Sequence, residues 1–247
     1  MGSKYMQLSV TKAFLIGAIV LTASAARAGS LQVEPVLVDV TAPGAASTIT
    51  LRNEGAAPID AQIRVFRWSL IDGQEKLEPT DDVVASPPSV TMAPKGQYIA
   101  RIVRVTKRPV EGEESYRLMV DQLPDLTKQQ NGAVNLMVRY SIPVFFGAAD
   151  KKSPTVTWSF AIKGDKLTLQ ARNTGDRRLR ISALNLRDTN GRTISFGNGL
   201  AGYALGQSTK SWSAPASARG FAPNGSASIS AQSDTGPIQA LASGAAR

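Results

Sequence analysis

Residues 134–146 read Val-Asn-Leu-Met-Val-Arg-Tyr-Ser-Ile-Pro-Val-Phe-Phe, and this stretch decides the fold of the chain. Its apolar side chains share one parity and alternate with mostly polar ones; the apolar set is Val134, Leu136, Val138, Tyr140 and Ile142. A period of two, rich in β-branched and aromatic residues, predicts a β-strand. The strand exceeds the usual length of about five to six residues. Such a long apolar row must be covered, either by the chain's own domain or by a partner.

The sequence before this stretch predicts a series of short strands separated by turns. Residues 31–40 alternate but are interrupted at Glu34-Pro35, which indicates an edge strand or a bulge. Within residues 61–70 the apolar side chains change parity, which predicts a β-bulge near Val65 and Phe66. Asp72-Gly73 is a hairpin signal. Seven or so strands up to residue 147 predict an antiparallel β-sandwich of immunoglobulin size.

A small and polar segment, residues 147–154, predicts a linker to a second domain. Four further alternating segments between residues 155 and 196 indicate a smaller β-domain. The end of the chain, from Gly206 to Arg247, is rich in Ser, Ala and Gly with weak patterning, so part of it is expected to be disordered. The chain is therefore predicted to be all-β, with one domain at residues 29–148 and another at 149–247.

The first 28 residues have the features of a secretory signal peptide. Lys4 and Lys12 precede an apolar run at residues 13–22, and Ala26-Arg27-Ala28 supplies an A-x-A cleavage site. Cleavage is expected after Ala28. No later stretch is long enough to cross a bilayer, so we expect a mature protein outside the cytoplasm that does not insert into the membrane.

Histidine and cysteine are both absent. This excludes Ser-His-Asp chemistry, thiol catalysis and ordinary zinc or copper sites. Two pairs of acids remain, Asp81-Asp82 and Glu113-Glu114, but adjacent residues in loops point apart or repel each other and do not form a catalytic pair. The sequence predicts a protein that is not an enzyme and has no metal or cofactor.

The formal net charge is +9, and Lys4, Lys12 and Arg27 leave +6 of it for the mature chain. The basic residues are spread along predicted strands and do not form a tail. For an exported protein, this favours a protein partner with acidic groups over nucleic acid.

Three motifs in order resemble one family. They are Ser86-Pro87-Pro88, the Tyr116-Arg117-Leu118 strand ending in Leu123-Pro124, and the Arg139-to-Phe145 strand. Together they are similar to periplasmic pilus-assembly chaperones of the chaperone–usher pathway, and most similar to its archaic branch. The resemblance implies two immunoglobulin-like domains at an angle with a cleft between them.

The resemblance also implies a mode of action. The last strand of the first domain lends alternating apolar side chains to a pilin subunit that lacks its own final strand. On this sequence the lending residues would be Val134, Leu136, Val138 and Tyr140. The implied partners are pilin subunits and an outer-membrane usher, and the implied location is the periplasm. An unpaired apolar edge also favours self-association.

Family members anchor the subunit's C-terminal carboxylate with two basic side chains in the cleft. At the positions expected from the best-known branch, this chain carries Pro35 and Pro143, so the anchor must lie elsewhere. Arg117 and Arg139 are the candidates because they lie on neighbouring predicted strands, opposite in parity to the apolar rows. Arginine suits a carboxylate because its planar fork can bind both oxygens.

Other interpretations remain open for these residues and for the chain. The two arginines could instead form ion pairs with Asp121 or Glu114. Arg101 and Arg104 are further candidates for the anchor, although for them an ion pair that holds the two domains is the favoured interpretation. The apolar row could be an ordinary core strand, and the chain could be an exported β-sandwich adhesion or pilus structural subunit.

Overall fold

The computed structural model describes residues 31–124, 137–215 and 220–244. These residues form eighteen β-strands and no helix, so they contain no helix that could span a membrane. The strands of the first domain are β1 Leu31–Glu34, β2 Val38–Thr41, β3 Ala46–Asn53, β4 Ile59–Ile71, β5 Gln74–Pro79, β6 Val83–Ser86, β7 Ser89–Met92, β8 Gln97–Arg104, β9 Glu113–Gln122 and β10 Arg139–Gly147. Those of the second are β11 Val156–Lys163, β12 Lys166–Asn173, β13 Leu179–Arg187, β14 Thr193–Ser195, β15 Leu200–Ala204, β16 Ser208–Pro215, β17 Ser226–Ser233 and β18 Gly236–Gly244.

The first domain is a sandwich of two sheets. A four-stranded sheet has the order β1-β3-β8-β6, and a six-stranded sheet has the order β2-β10-β9-β4-β5, with β7 also paired to β4. The chain changes sheet at Pro35, between β1 and β2, and again at Pro87-Pro88, between β6 and β7. Proline has no N–H to donate to a ladder, so these breaks fall where pairing must stop. Ile49, Leu118 and Val144 lie fully buried between the sheets.

The parity change in β4 is not a bulge, and that prediction was wrong. The strand pairs with β9 in an uninterrupted register from Ala61 to Arg67. Its first half buries Ala61 and Ile63 in the first domain's core, whereas its second half buries Trp68 on the opposite face, against the second domain. A regular strand that packs first on one face and then on the other changes parity without any extra residue.

The second domain is built on one eight-stranded sheet with the order β14-β13-β17-β18-β11-β12-β16, to which β15 adds through β13. The end of the chain supplies β16, β17 and β18, so the described part of the tail is ordered strand and not disordered. Its pattern is weak because β17 reads Ser-Ala-Ser-Ile-Ser-Ala-Gln-Ser, so two of its three inward side chains are small. Ala227 and Ala231, with Ile229 between them, still complete the core.

Among the described residues, each domain has one buried asparagine, and its side chain hydrogen-bonds to the backbone at the end of a strand. The Asn53 side-chain amide donates to the carbonyls of Ala57, Met92 and Ala93 at 2.8, 3.3 and 3.0 Å, and its oxygen accepts from the Gly55 N–H. Asn173 does the same in the second domain, donating to Arg177 and Ala204 and accepting from Thr155 and Gly175. Both follow the pattern Asn-x-Gly at the end of a strand. The two domains therefore stabilise the turn after β3 and the turn after β12 with the same kind of asparagine side-chain hydrogen bonds.

Asn53→Ala is expected to lower the free energy of unfolding by about 1–3 kcal/mol, because buried backbone groups lose their partner. Chemical denaturation followed by circular dichroism would measure the change. Asn190→Ala, at an exposed turn position, is the matched control and should stay within about 0.5 kcal/mol of the unsubstituted protein. Equal stability of the two variants would show that the hydrogen bonds of the Asn53 side chain do not stabilise the fold.

Candidate functional site

Strand β10 has one edge that is only partly paired. It pairs antiparallel with β9 along its whole length, from Arg139 opposite Asp121 to Gly147 opposite Glu113. On its other side, β2 pairs in parallel with Val144–Gly147 only. Within the described residues, the outer edge of residues 139–143 therefore offers free backbone groups. An unpaired strand edge of this kind is a template for another strand.

The apolar parity of β10 faces the core of the first domain. Ile142, Val144 and Phe146 are buried there, and Tyr140 packs against them while its hydroxyl donates to the Leu31 carbonyl at 2.7 Å. Val138 is half-buried, and its carbonyl accepts from the Gln122 N–H at 3.0 Å. Burial along this row of apolar side chains therefore decreases from the C-terminal part of β10, which lies in the core, to its N-terminal part, where the strand is only partly paired.

Two of the four predicted lending residues, Val134 and Leu136, lie outside the described residues. Val138 and Tyr140 are described, and both lie at the end of the row where its own domain covers it incompletely. The lending role of all four stays a prediction.

Arg139 is exposed and forms an ion pair with Asp121. Asp121 accepts from the guanidinium of Arg139 and, at 2.5 Å, from that of Arg64 on β4. Burial alone would raise the pKa of the Asp121 carboxyl, but hydrogen bonds from Arg139 and Arg64 outweigh it and keep this pKa below its usual value. This triad ties the beginning of β10 to β9 and β4.

Arg117 lies where the two domains meet. Its guanidinium stacks on the Trp68 ring, 3.8 Å from the centroid, and contacts Glu75 at 3.4 Å. Only 12% of its side chain is exposed, and this burial lowers the pKa of Arg117. From the second domain, Lys210 contacts the other Glu75 oxygen, also at 3.4 Å.

The structure does not bring Arg117 and Arg139 together. Arg139 lies opposite Asp121 and Arg117 opposite Pro143, so four register positions separate them on neighbouring strands. At about 3.4 Å per residue this is roughly 13 Å along the sheet. Their assignment as a carboxylate anchor stays a prediction. The Arg139 guanidinium already forms an ion pair with Asp121.

Apolar packing joins the domains. Trp68 and Phe145 from the outer face of the six-stranded sheet pack on Tyr203 and Leu205 of the second domain. The Trp68 and Tyr203 rings meet edge to face with centroids 5.5 Å apart. Phe145 belongs to β10, so the strand with the free edge also forms the domain interface.

A buried group of charges, which we call the interdomain ion cluster, consists of Arg178, Glu113 and Asp39. Arg178 of the second domain donates to Glu113 and to Asp39 at 2.6 Å each, and its guanidinium lies 3.7 Å from the centroid of the Phe145 ring. The exposed side-chain fractions are 3% for Arg178 and 0% for Glu113. Burial raises the pKa of Glu113 although Arg178 opposes it.

The prediction that Arg104 holds the two domains was wrong. Arg104 makes a two-pronged ion pair with Glu114 at 2.8 and 2.9 Å, and both residues belong to the first domain. The residues that do cross the interface, Arg178 and Lys210, were missed. Nothing in their sequence neighbourhood distinguishes them, because their partners are 65 and 135 positions away.

Comparison with known proteins assigns the first domain to a family. Residues 30–149 match the family of pili and flagellar-assembly chaperones, PapD N-terminal domain. The domain that carries the partly paired strand therefore belongs to a family of pilus-assembly chaperones. Comparison with curated protein sequences found no match.

Solved structures show the same fold over both domains. The chain matches a structure of the CsuC–CsuE chaperone–tip adhesion subunit pre-assembly complex from the archaic chaperone–usher Csu pili of Acinetobacter baumannii, with 23% identity, a TM-score of 0.69, and coverage of 87% of this chain and 99% of that one. It also matches the Salmonella enterica SafA pilin in complex with the SafB chaperone (19%, TM-score 0.60, 88% and 98%) and the Pseudomonas aeruginosa CupB2 chaperone (18%, TM-score 0.56, 86% and 99%). The predicted all-β fold of two immunoglobulin-like sandwiches is confirmed.

Proposed function

We propose that this chain is a periplasmic chaperone that binds, folds and caps pilin subunits by donor-strand complementation and delivers them to an outer-membrane usher. The observation that carries the proposal is the free edge of residues 139–143, at the end of an alternating apolar row in a pilus-chaperone domain. The signal-peptide pattern of residues 1–28 supports the periplasmic location.

Strand addition would work here through two kinds of contact. The free N–H and C=O groups of β10 would pair with a subunit strand and so set its register. The side chains on the parity of Val138 would fill the groove left open by the subunit's missing strand. The free energy that such a subunit lacks on its own would be supplied by the chaperone, and no catalysis is required.

Two of the matched structures support this proposal by their composition. One contains a chaperone with a tip adhesion subunit, and the other contains a chaperone with a pilin. Their fold extends over almost the whole of the matched chains. The residues of β10 in the present chain are available for the same kind of complex.

Co-expression with a pilin subunit that lacks its own final strand, followed by size-exclusion chromatography, tests the proposal. A chaperone forms a soluble one-to-one complex, whereas a pilus structural or adhesion subunit polymerises or elutes alone. The absence of a one-to-one complex with every pilin of the same assembly system would refute the proposal.

The two arginines proposed to bind the subunit carboxylate should differ in effect. Arg117→Met is expected to weaken pilin binding about tenfold or more, since a hydrogen bond to a charged group contributes about 1.5–3 kcal/mol. Arg139→Met should weaken it less, because Asp121 already holds the guanidinium. Surface plasmon resonance with immobilised pilin would measure both. Equal losses would show that Arg139 takes an equal part in the anchor.

A further inference from the structure

Strand β16 is the longest of the strands that end the three sheets in the described part of the chain. It has eight residues and pairs with β12, whereas β1, β2 and β6 have four residues each and β14 has three. The remaining edge strand, β5, is charged and ends in Pro79. Short, charged or proline-containing edges resist pairing with another chain. β16 has none of these protections along its middle, since its one charged residue, Lys210, is buried.

The hydrogen bond of one residue identifies the free side of β16. Ser211 lies opposite Gln170 of β12, yet its N–H donates to the Gly73 carbonyl of the first domain at 2.9 Å. In an antiparallel ladder, alternate residues direct their N–H and C=O groups away from the partner strand. Thr209 and Ser213 therefore direct these groups to the same side as Ser211. Within the described part of the chain, no backbone hydrogen bond reaches Thr209 or Ser213 from that side.

The tip of the β4–β5 hairpin covers the middle of this edge. Ile71 lies opposite Gln74, so the turn consists of Asp72 and Gly73, whose φ values are 51° and 77°. Positive φ at both positions is the geometry of a type I′ turn, for which Asp-Gly is a preferred sequence. The Gly73 carbonyl accepts the Ser211 N–H and so occupies the place that a strand paired with β16 would take.

Glycine at position 73 serves this contact as well as the turn. A Cβ there would overlap the Ser211 hydroxyl oxygen and lie 2.6 Å from the Ser211 Cβ. Only glycine therefore lets the hairpin approach the strand closely enough for the hydrogen bond. The β11–β12 turn offers a comparison, because Gly164 also has a positive φ, 57°, but a Cβ there would meet nothing within 4 Å.

Two further contacts hold the hairpin on the second domain. Leu70 packs on the apolar interface that contains Trp68 and Tyr203. Glu75 contacts Lys210 of β16 at 3.4 Å, and only 10% of the Lys210 side chain is exposed. The hairpin is therefore fixed at its stem by apolar packing and beside its tip by an ion pair. Its tip stays on the edge of β16 as long as the two domains are docked.

We infer that Gly73 determines which strand of this chain can accept an added strand, because the hairpin tip blocks the edge of β16 and leaves that of β10 open. This inference rests on the proposed function. A strand that pairs with β16 must displace the Gly73 carbonyl, whereas residues 139–143 of β10 carry no such cover among the described residues. Without the hairpin tip, the occupant of the β16 edge in the purified protein is β16 of a second copy, paired antiparallel about Ser211.

Amide hydrogen exchange in the full mature chain tests the cover directly. After correction for intrinsic rates, the Ser211 amide of the unsubstituted protein should exchange about tenfold more slowly than those of Thr209 and Ser213, because it alone has an acceptor. Gly73→Ala should remove this difference. Equal exchange at the three amides of the unsubstituted protein would overturn the inference, whether or not the variant folds.

Sedimentation velocity tests the consequence for strand addition. Gly73→Ala is expected to dimerise with a dissociation constant at least about tenfold lower than that of Gly164→Ala, the control with a positive φ and no contact. Adding Ser213→Pro should return the dissociation constant to the control value, since proline removes an outward N–H of β16 and leaves the pairing with β12 intact. The inference is wrong if Gly73→Ala associates no more than the control, or if its dimer survives Ser213→Pro.

Pilin capture separates this inference from the proposed function. Neither experiment above contains a subunit, so both can fail while the unsubstituted chain still captures pilin one to one; the inference then falls and the function stands. If the unsubstituted chain captures no pilin, the proposed function fails. A slowly exchanging Ser211 amide and a dimer of Gly73→Ala that Ser213→Pro abolishes would still show that the hairpin blocks this edge.

Discussion

Leu136→Glu is expected to abolish capture of a pilin subunit, with a loss of affinity of about 100-fold or more, while the chaperone itself stays folded. Leu136 lies outside the described residues, but its parity is that of Val138, Tyr140 and Ile142, which face the apolar side of β10. In the proposed complex its side chain fills the subunit's open groove. A charge buried there without a partner costs several kcal/mol, and every 1.4 kcal/mol is about tenfold in affinity.

Met137→Glu provides the matched control for this experiment. Met137 is the next residue, on the opposite parity, and is 57% exposed, so its charge should remain in solvent. Pull-down of pilin would compare the two variants, and circular dichroism melting would establish that both are folded. Normal capture by Leu136→Glu would refute donation by this face, and equal loss in both variants would show that parity plays no part.

Arg178→Met is expected to lower the free energy of unfolding by about 3–5 kcal/mol, the usual cost of removing one partner from a buried ion pair. Glu113 would then be fully buried without its cation, and Asp39 would lose its contact across the interface. For a chain of this size, each kcal/mol corresponds to about 2–4 °C in Tm. Differential scanning calorimetry and urea denaturation would measure the loss.

The double variant Arg178→Met with Glu113→Gln identifies the cause of that loss. It removes both buried charges, so it should recover a substantial part of the stability. Arg177→Met is the control, because the neighbouring arginine is only half-buried and makes no side-chain ion pair among the described residues. The interpretation is wrong if the double variant is as unstable as the sum of its single substitutions, since the cluster would then hold no coupling.

The strands of the first domain could be predicted from the sequence because side-chain alternation and turn residues are local signals. The interruption at Glu34-Pro35 was interpreted as an edge strand or a bulge, and the strands on either side of it, β1 and β2, each lie at the edge of their sheet. The free edge of β10 could not be read directly, because its pairing partner β2 is about a hundred residues away. It followed only from the resemblance to pilus chaperones.

The features that sequence analysis missed depend on contacts between the domains. The apolar side chains of β4 change from one face to the other because the second domain covers the outer face at Trp68. A β-bulge would give the same sequence pattern, so alternation alone cannot distinguish the two. Arg178 and Lys210 look like ordinary basic residues on strands until the fold places them beside Glu113 and Glu75. The apolar row of β17 consists of two alanines and one isoleucine, which is too little hydrophobicity to indicate a core strand from the sequence.

Strand β10 is buried on both faces at its C-terminal end, where Val144 and Phe146 lie in one core and Phe145 lies in another. A shift of the pairing register by one residue would turn each of these side chains to the opposite face. The side chains of β10 that face each side of the sheet are therefore fixed before a subunit binds. Part of the conformational entropy that a flexible peptide would lose on binding is therefore lost already when the chaperone folds. Every subunit captured by this strand would meet the same side chains at the same depth.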